Sequence, residues 1–465
     1  MEPDTFKQTV PAMITSTLPI HPKGPTSSYL LKLPSELIEE ILLYLDPFDL
    51  TSIIATCPYL ASLARSDALW HFHVQQNVPG IKLISPFPCL SYRQLYAAHF
   101  PHWFIPRNKV WFGNQDMVGK LIITRYNPVL GQIEGYQLVA ERLPTTSRLW
   151  DDDGEVIIED FNPNCRLNLE QPIISLDTLA ANKPGKRFNE ATTMKIDWPR
   201  QFLPRTRDSS RQLTPYFLSL AKENATGSEE NHDVQLWPPK LIPARNRFQS
   251  GGPHYHEERP QRYSELSEQC FRIQHKMNPR ILDNPSMHLC SLTYSTLDPQ
   301  LYTPTREKPY RGIWVGDYSG HGCEFLLLHQ PDNTDPFDES TVIRGIDETL
   351  EDFELRKKEE RIYRGSIEAI KLTGDPNVPR GEHTFIAADI SNKGLIYIAK
   401  DKAFKGARVV RSAGHIAADM FQHDQFIECQ LILVSYNRLA QHWIGFGQVS
   451  FLERVNIDDF LSPSS

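Results

Sequence analysis

Near Pro101 the spacing of apolar residues along this chain changes from a helical period to an alternating one, and no other feature limits its fold more. Before that point, "LKLPSELIEEILLYLDPFDLTSIIATCPYLASLARSDALW" places apolar residues at helical intervals interrupted by prolines. After it, "GKLIITRYNPVLGQIEGYQLVAER", "EVIIEDF", "CRLNLEQPIISLD" and "RGIWVGDYSGHGCEFLLLHQ" read as short strands separated by turns, and the carboxyl-terminal third continues in the same way. Many short strands can remove their exposed edges only by closing on themselves. The predicted class is therefore α+β, a small helical module followed by a mainly antiparallel β-barrel-like domain.

Within the helical part, Leu33, Leu37, Ile38, Ile41, Leu42 and Leu45 form one stripe on a first helix. Asp46 caps a second helix that opens on Pro47 and carries Leu50, with Asp49 in its first turn near the positive end of the helix dipole. Pro58 starts a third helix, and Asp67 caps a fourth bearing Leu69, Trp70 and Phe72. A cluster of about 45 residues is marginal by itself and needs a partner or the following domain. Ser91 and Gln94 form a capping box for "YRQLYAAHF". The expected organisation is a disordered tail over 1–28, the helical module over 29–78, a helical linker over 79–101 and a β-rich domain over 102–465. A polar, proline-rich surface insertion is expected at about 195–262, and "DETLEDFELRKKEERIYRG" is expected to be one exposed helix.

A net charge of −8 and a pI near 6.1 offer no cationic footprint for nucleic acid. The seven cysteines are scattered and never spaced as C-x-x-C, which predicts reduced thiols in the cytoplasm or nucleus. No apolar run approaches the roughly 20 residues of a membrane helix, so no membrane association is expected. Ser319 lies between Gly316 and Gly320 beside His321, but this is not the G-x-S-x-G elbow, and no catalytic residue is assigned. His254, His256, Glu257 and Glu258 lack a fourth ligand at recognisable spacing. Neither a metal nor a cofactor is expected.

The stretch "KLTGDPNVPRG" fixes a turn with Pro376 and Pro379 and places Asp375 and Asn377 at its crest. Both side chains either close the turn through their own backbone or meet a ligand, and the residues alone leave both readings open. Trp314, Tyr318 and Trp443 are expected mainly in the core, with one or two on a pocket wall.

The segment from Leu33 to Trp70, with "LPSELIEEILLYLDPFDL" at its start and "DALW" at its close, resembles an F-box. That resemblance implies binding to the adaptor Skp1 and, through it, to a cullin-1/RING ubiquitin ligase. The contact would be supplied by Leu33, Pro34, Leu37, Ile41, Leu42, Leu45, Pro47 and Leu50. Farther on, "WVGDYSGHGCEFLLL" and "KLTGDPNVPRG" resemble the substrate domain of a family of F-box receptors associated with cyclin D and with carboxyl-terminal degrons. The implied function is a non-catalytic substrate receptor of an SCF ubiquitin ligase, recruiting target proteins through their carboxyl-terminal tails. Trp314, Tyr318, His321, Asp375, Asn377 and Trp443 are the implied substrate-binding residues. The alternatives are a barrel that binds a small apolar molecule while the F-box controls its own turnover, and an esterase-like enzyme built on Ser319.

Overall fold

The computed structural model describes residues 28–113, 117–144, 146–151, 153–178, 187–194, 216–223, 236–237, 248–249, 259–275, 290–332 and 335–463. The expected tail over 1–28, apart from Ser28, lies outside the described residues, as does the His254–Glu258 cluster. Two units are distinguished, residues 1–69 and 70–465.

In the first unit, α1 (Ser35–Leu42), α2 (Pro47–Ile54) and α3 (Pro58–Ala64) follow one another, and α3 packs against both predecessors. The Asp46 carboxylate accepts the Phe48 and Asp49 N–H groups at 2.8 Å each, satisfying two donors that the first turn of α2 leaves without a helical partner. The predicted stripe divides. Ile38, Leu42 and Leu50 are buried, whereas Leu33, Leu37 and Ile41 are 36–45% exposed. Helix α4 (Asp67–Gln75) spans the division.

In the second unit, Ser91 caps α5 (Tyr92–His99) by accepting the Gln94 N–H at 3.3 Å, while Gln94 accepts the Leu90 N–H. After α6 (Phe104–Asn108) the chain becomes strands: β1 (Val110–Gly113), β2 (Leu121–Asn127), β3 (Gln132–Arg142), β4 (Ser147–Leu149), β5 (Ile157–Glu159) and β6 (Pro163–Asp177). Then come β7 (Thr192–Met194), β8 (Tyr216–Lys222), β9 (Leu236–Trp237), β10 (Phe248–Gln249), β11 (Leu266–His275) and β12 (Cys290–Ser295). An eight-stranded antiparallel sheet has the order β6-β3-β2-β1-β12-β11-β8-β7. Strand β8 departs from the expectation of a surface insertion over 195–262 at residues 216–222, while most of that stretch lies outside the described residues. Its residues Leu218, Leu220 and Ala221 are buried, and it pairs with both β7 and β11.

The remaining strands are β13 (Gly312–Asp317), β14 (Cys323–His329), β15 (Ile367–Lys371), β16 (His383–Ala387), β17 (Leu395–Ile398), β18 (Arg408–Ala418), β19 (Gln422–Ser435), β20 (Arg438–Trp443) and β21 (Gln448–Arg454). The path β13-β14-β15-β16-β18-β19-β20-β21 returns to β13 through Trp314–Arg454, Val315–Glu453 and Gly316–Leu452, closing an eight-stranded barrel. At its other end β21 pairs with β5 in parallel at Gln448 and Val449. Between β14 and β15, the helix Leu350–Ile362 is capped by the Thr349 hydroxyl and ends in buried Arg361 and Ile362.

Alternation along each barrel strand sorts the apolar residues into two layers. Trp314, Leu326, Ala369, Phe385, Val410, Leu431, Leu439 and Leu452 share one cluster. Every strand of the ring contributes to it, so it fills the lumen. Their neighbours Ile313, Val315, Phe325, Leu327 and Ile370 belong instead to a cluster with Val110, Phe112, Leu121 and Ile123, by which the first sheet covers the outside of the barrel.

Because β8 is part of the covering sheet, Leu220→Ala is expected to lower unfolding free energy by about 2–5 kcal/mol, the range for truncating a buried leucine. A denaturation midpoint equal to that of the parent chain would restore the insertion reading.

Candidate functional site

The lumen pattern does not stay apolar to its end. One or two steps beyond the luminal leucines and alanines, the same faces carry Glu324 on β14 and Lys371 on β15, Trp443 on β20 and Ser450 on β21. There the barrel opens into a cavity of about 510 Å³, whose wall includes Tyr318, Lys371, Asp375, Thr384, His415 and Trp443.

Lys371 organises the floor. Its ammonium lies 2.5 Å from Asp375 Oδ2 and 3.0 Å from Glu324 Oε2, and 4.4 Å from the centroid of the Tyr318 ring. The Tyr318 hydroxyl is 2.8 Å from Thr384 Oγ1. Lys371, Glu324 and Asp375 are only 1–5% exposed. One buried ammonium cannot balance two buried carboxylates, so one acid keeps its proton. Burial pushes the Glu324 carboxyl up to about 8, against the pull of Lys371. Burial acts on Asp375 in the same sense, but the Glu324 carboxyl, the Lys371 ammonium and the Val378 N–H together hold it at about 2. The floor is a neutral set of one cation, one anion and one carboxylic acid.

Asp375 is thus not the free carboxylate that the proline-framed turn suggests. Its Oδ1 accepts the Asn377 and Val378 N–H groups at 2.7 Å each, and its Oδ2 is taken by Lys371. It closes the turn and anchors it to the barrel, with a side-chain edge on the cavity. Asn377 also lines the cavity and donates through Nδ2 to the Ala417 carbonyl at 2.9 Å. Gly374 is required here because a Cβ would lie 2.1 Å from Arg380 N and 2.3 Å from the Met117 carbonyl.

Of the other residues singled out in the sequence, Tyr318, His321 and Trp443 lie on the cavity wall. The Trp443 ring lies directly against the backbone of β18 at Gly414, where a Cβ would sit 2.3 Å from it. Trp314 does not reach the cavity. It is fully buried in the lumen and donates its indole N–H to the Tyr310 carbonyl at 3.1 Å, which corrects its placement among substrate-binding residues. Ser319 accepts a hydrogen bond from Gln448 Nε2 at 2.9 Å in the β13–β14 turn. Sequence reasoning does not single out Lys371, Glu324, Thr384 or His415.

On the helical unit, Leu33, Pro34, Leu37 and Ile41 are exposed, and Leu45 and Pro47 are half-buried. Leu42 and Leu50, expected at a partner contact, are instead buried, because the stripe is wider than one exposed face can hold. Residues 30–76 match the family model described as F-box-like. The segment is thus similar to F-box-like domains over its four helices. Residues 294–459, which contain every strand of the closed barrel, match the model described as Cyclin D1 binding domain. Among curated proteins the chain is similar to Protein EXECUTER 2, chloroplastic, of Oryza sativa subsp. japonica, at 26% identity over 176 residues, 37% of this chain and 24% of that protein. The chain therefore spans about a quarter of that relative's length.

The neutral floor has a pH signature. Glu324 titrates near 8 when folded and near 4.5 in the open chain, so unfolding releases its proton between those values and stability falls as pH rises through that interval. Glu324→Gln is expected to flatten the fall, read as melting temperature at pH 5.5 and pH 8. A parent chain equally stable at both values would contradict the assignment of the proton. Asp375→Asn is expected to cost about 1.5–3 kcal/mol of stability, the range for hydrogen bonds to a charged group.

Proposed function

We propose that the chain is the substrate-recognition subunit of an SCF ubiquitin ligase, docking on Skp1 through its F-box-like domain and holding target proteins at the mouth of its barrel. The observation that carries this reading is the exposed row of Leu33, Leu37 and Ile41 on an F-box-like domain. Such a row, left facing water, is suited to a protein partner. The barrel then acts without chemistry of its own: it raises the local concentration of a target near the ubiquitin-transfer machinery supplied by the cullin-1/RING partners.

For the target we propose a polypeptide end, in keeping with the likeness of the barrel segments to F-box only protein 31. A cavity at one end of a filled lumen admits a chain terminus more readily than a continuous strand. Its wall of Asn377, Thr384, Gln425 and Gln448 supplies donors and acceptors that can orient a peptide group. Val378, Ile416, Trp443 and Phe446 supply the apolar part of the same wall, against which the side chains of a peptide end can pack. The description of the matched barrel model makes cyclin D1 the first target to test.

Leu37→Ala with Ile41→Ala is expected to reduce co-purification of Skp1 at least tenfold while the melting temperature of the β domain stays unchanged. Undiminished Skp1 recovery would overturn the docking assignment. Ser450→Trp, which fills the cavity, is expected to abolish capture of cyclin D1 and to leave Skp1 binding intact. Capture at the parent level would place target recognition elsewhere on the chain.

A further inference from the structure

The outer wall of the cavity is the hairpin formed where β18 and β19 run on together, paired at His415–Phe426, Ile416–Gln425 and Ala418–Gln422. Its tip is strained. Met420, Phe421 and His423 hold φ values of 59°, 56° and 53°, a left-handed backbone that non-glycine residues keep only when their surroundings impose it. Two hydrogen bonds tie this arm to the proline-framed turn: Phe421 N–H donates to the Pro376 carbonyl at 3.1 Å, and Asn377 Nδ2 donates to the Ala417 carbonyl at 2.9 Å.

His415 sits at the base of the arm, 5% exposed, with both ring nitrogens engaged. Nδ1 is 2.8 Å from the His383 carbonyl oxygen, and Nε2 is 3.1 Å from Asp424 Oδ2. A carbonyl oxygen can only accept, and so can an ionised carboxylate. A neutral imidazole has one N–H and can serve one of them. Both bonds form together only on the doubly protonated ring. The Phe426 ring stacks on it at 4.3 Å and 11°, an arrangement that favours a cation over an aromatic face.

We infer that His415 is a proton-operated clamp on the cavity wall: protonated, it both ties the arm that carries Ile416, Ala417, Ala418, His423 and Gln425 to β16 and joins the two strands of that arm, and deprotonation breaks one of these two bonds and loosens the arm, which the Phe421 and Asn377 bonds still tether. No covalent step is involved. The proton is exchanged with solvent. The consequence for binding rests on the reading of the cavity as the target site: capture of a target by the closed arm takes up a proton, so affinity falls as pH rises. Other titratable groups on the cavity are Asp317, Tyr318, His321, Lys371, Asp375 and His423. Behind the ring, His383 Nε2 stands 3.5 Å from Glu368 Oε2. Glu324, below the cavity, titrates near 8.

Asp424→Asn separates the clamp from all of these. An asparagine amide can donate to a neutral Nε2 while Nδ1–H still donates to the His383 carbonyl, so both bonds survive without the extra proton. The experiment measures hydrogen exchange of segment 416–424 in the full chain from pH 6 to pH 8, corrected for intrinsic exchange, with cyclin D1 binding followed in parallel. In the parent chain, protection is expected to fall with pH, by up to about tenfold per pH unit for a single linked proton. In Asp424→Asn it is expected to stay high and flat, and in His415→Gln low and flat. Protection that does not change with pH in the parent chain, or an Asp424→Asn profile that follows the parent, would overturn the clamp whatever cyclin D1 does. The expected exchange profiles with no cyclin D1 binding at any pH would uphold the clamp and overturn the target reading alone.

Discussion

The mouth of the barrel depends on one buried lysine. Lys371 lies where the apolar lumen ends, and its charge is tolerable there only because Glu324 and Asp375 stand against it at hydrogen-bonding distance. The pairing does more than offset burial. Asp375 belongs to the turn after β15, so its bond to Lys371 pins that turn to the end of its own strand, and the turn in turn holds the β18–β19 arm through Pro376 and Asn377. Removing the lysine would strand two carboxyl groups in a dry site and detach the wall built on them.

Closure of the barrel explains why a cavity forms at this end. Near its carboxyl terminus β21 pairs with β13, but at Gln448 and Val449 its partner is β5, inserted in parallel. Beyond Gly316 and Leu452 the two barrel strands no longer pair, and Asp317, Ser319, Gln448 and Ser450 line the cavity there, with Gln448 donating to Ser319. The first sheet, packed outside on Ile313, Val315, Phe325 and Leu327, supplies apolar burial for the other face of the same strands. A filled lumen and a covered exterior hold the strands at the mouth in place, while the wall above them is built on the β13–β14 turn, the proline-framed turn and the β18–β19 arm.

Much of this architecture is legible in the sequence because it rests on periodicity. The helical stripe, the Asp46-Pro47 cap and the alternation of "RGIWVGDYSGHGCEFLLLHQ" are local signals, and the structure has the helical module and antiparallel barrel they predict. Strand β8 is hidden because its short apolar run, "YFLSLA", lies within a stretch whose prolines and polar residues dominate its composition. Trp314 is misplaced by sequence because Ile313, Trp314 and Val315 are all apolar, and a strand buried on both faces gives no sign of which side meets a pocket. Lys371 and Glu324 do leave a trace: each stands on the same strand face as buried apolar residues, Ile367 and Ala369 in one case, Leu326 and Leu328 in the other. His415 leaves none. Its backbone partner is 32 residues away, a separation no local pattern encodes.

The division of the helical stripe bears on how the two ends of the chain share the work. Had Leu33, Leu37 and Ile41 been needed to bury the helical module, they would be covered like Ile38, Leu42 and Leu50, and no apolar row would remain for a partner. A small module keeps such a row in water at a cost in solubility, which a bound partner would remove. The cavity is mixed. Beside apolar Val378, Ile416, Trp443 and Phe446 it presents polar groups whose positions are fixed by ion pairing and by backbone held in the left-handed region. On the proposed function, docking on the helical face would be governed by buried apolar area, and selection at the barrel by how few of the hydrogen-bonding groups of an incoming chain are left without partners.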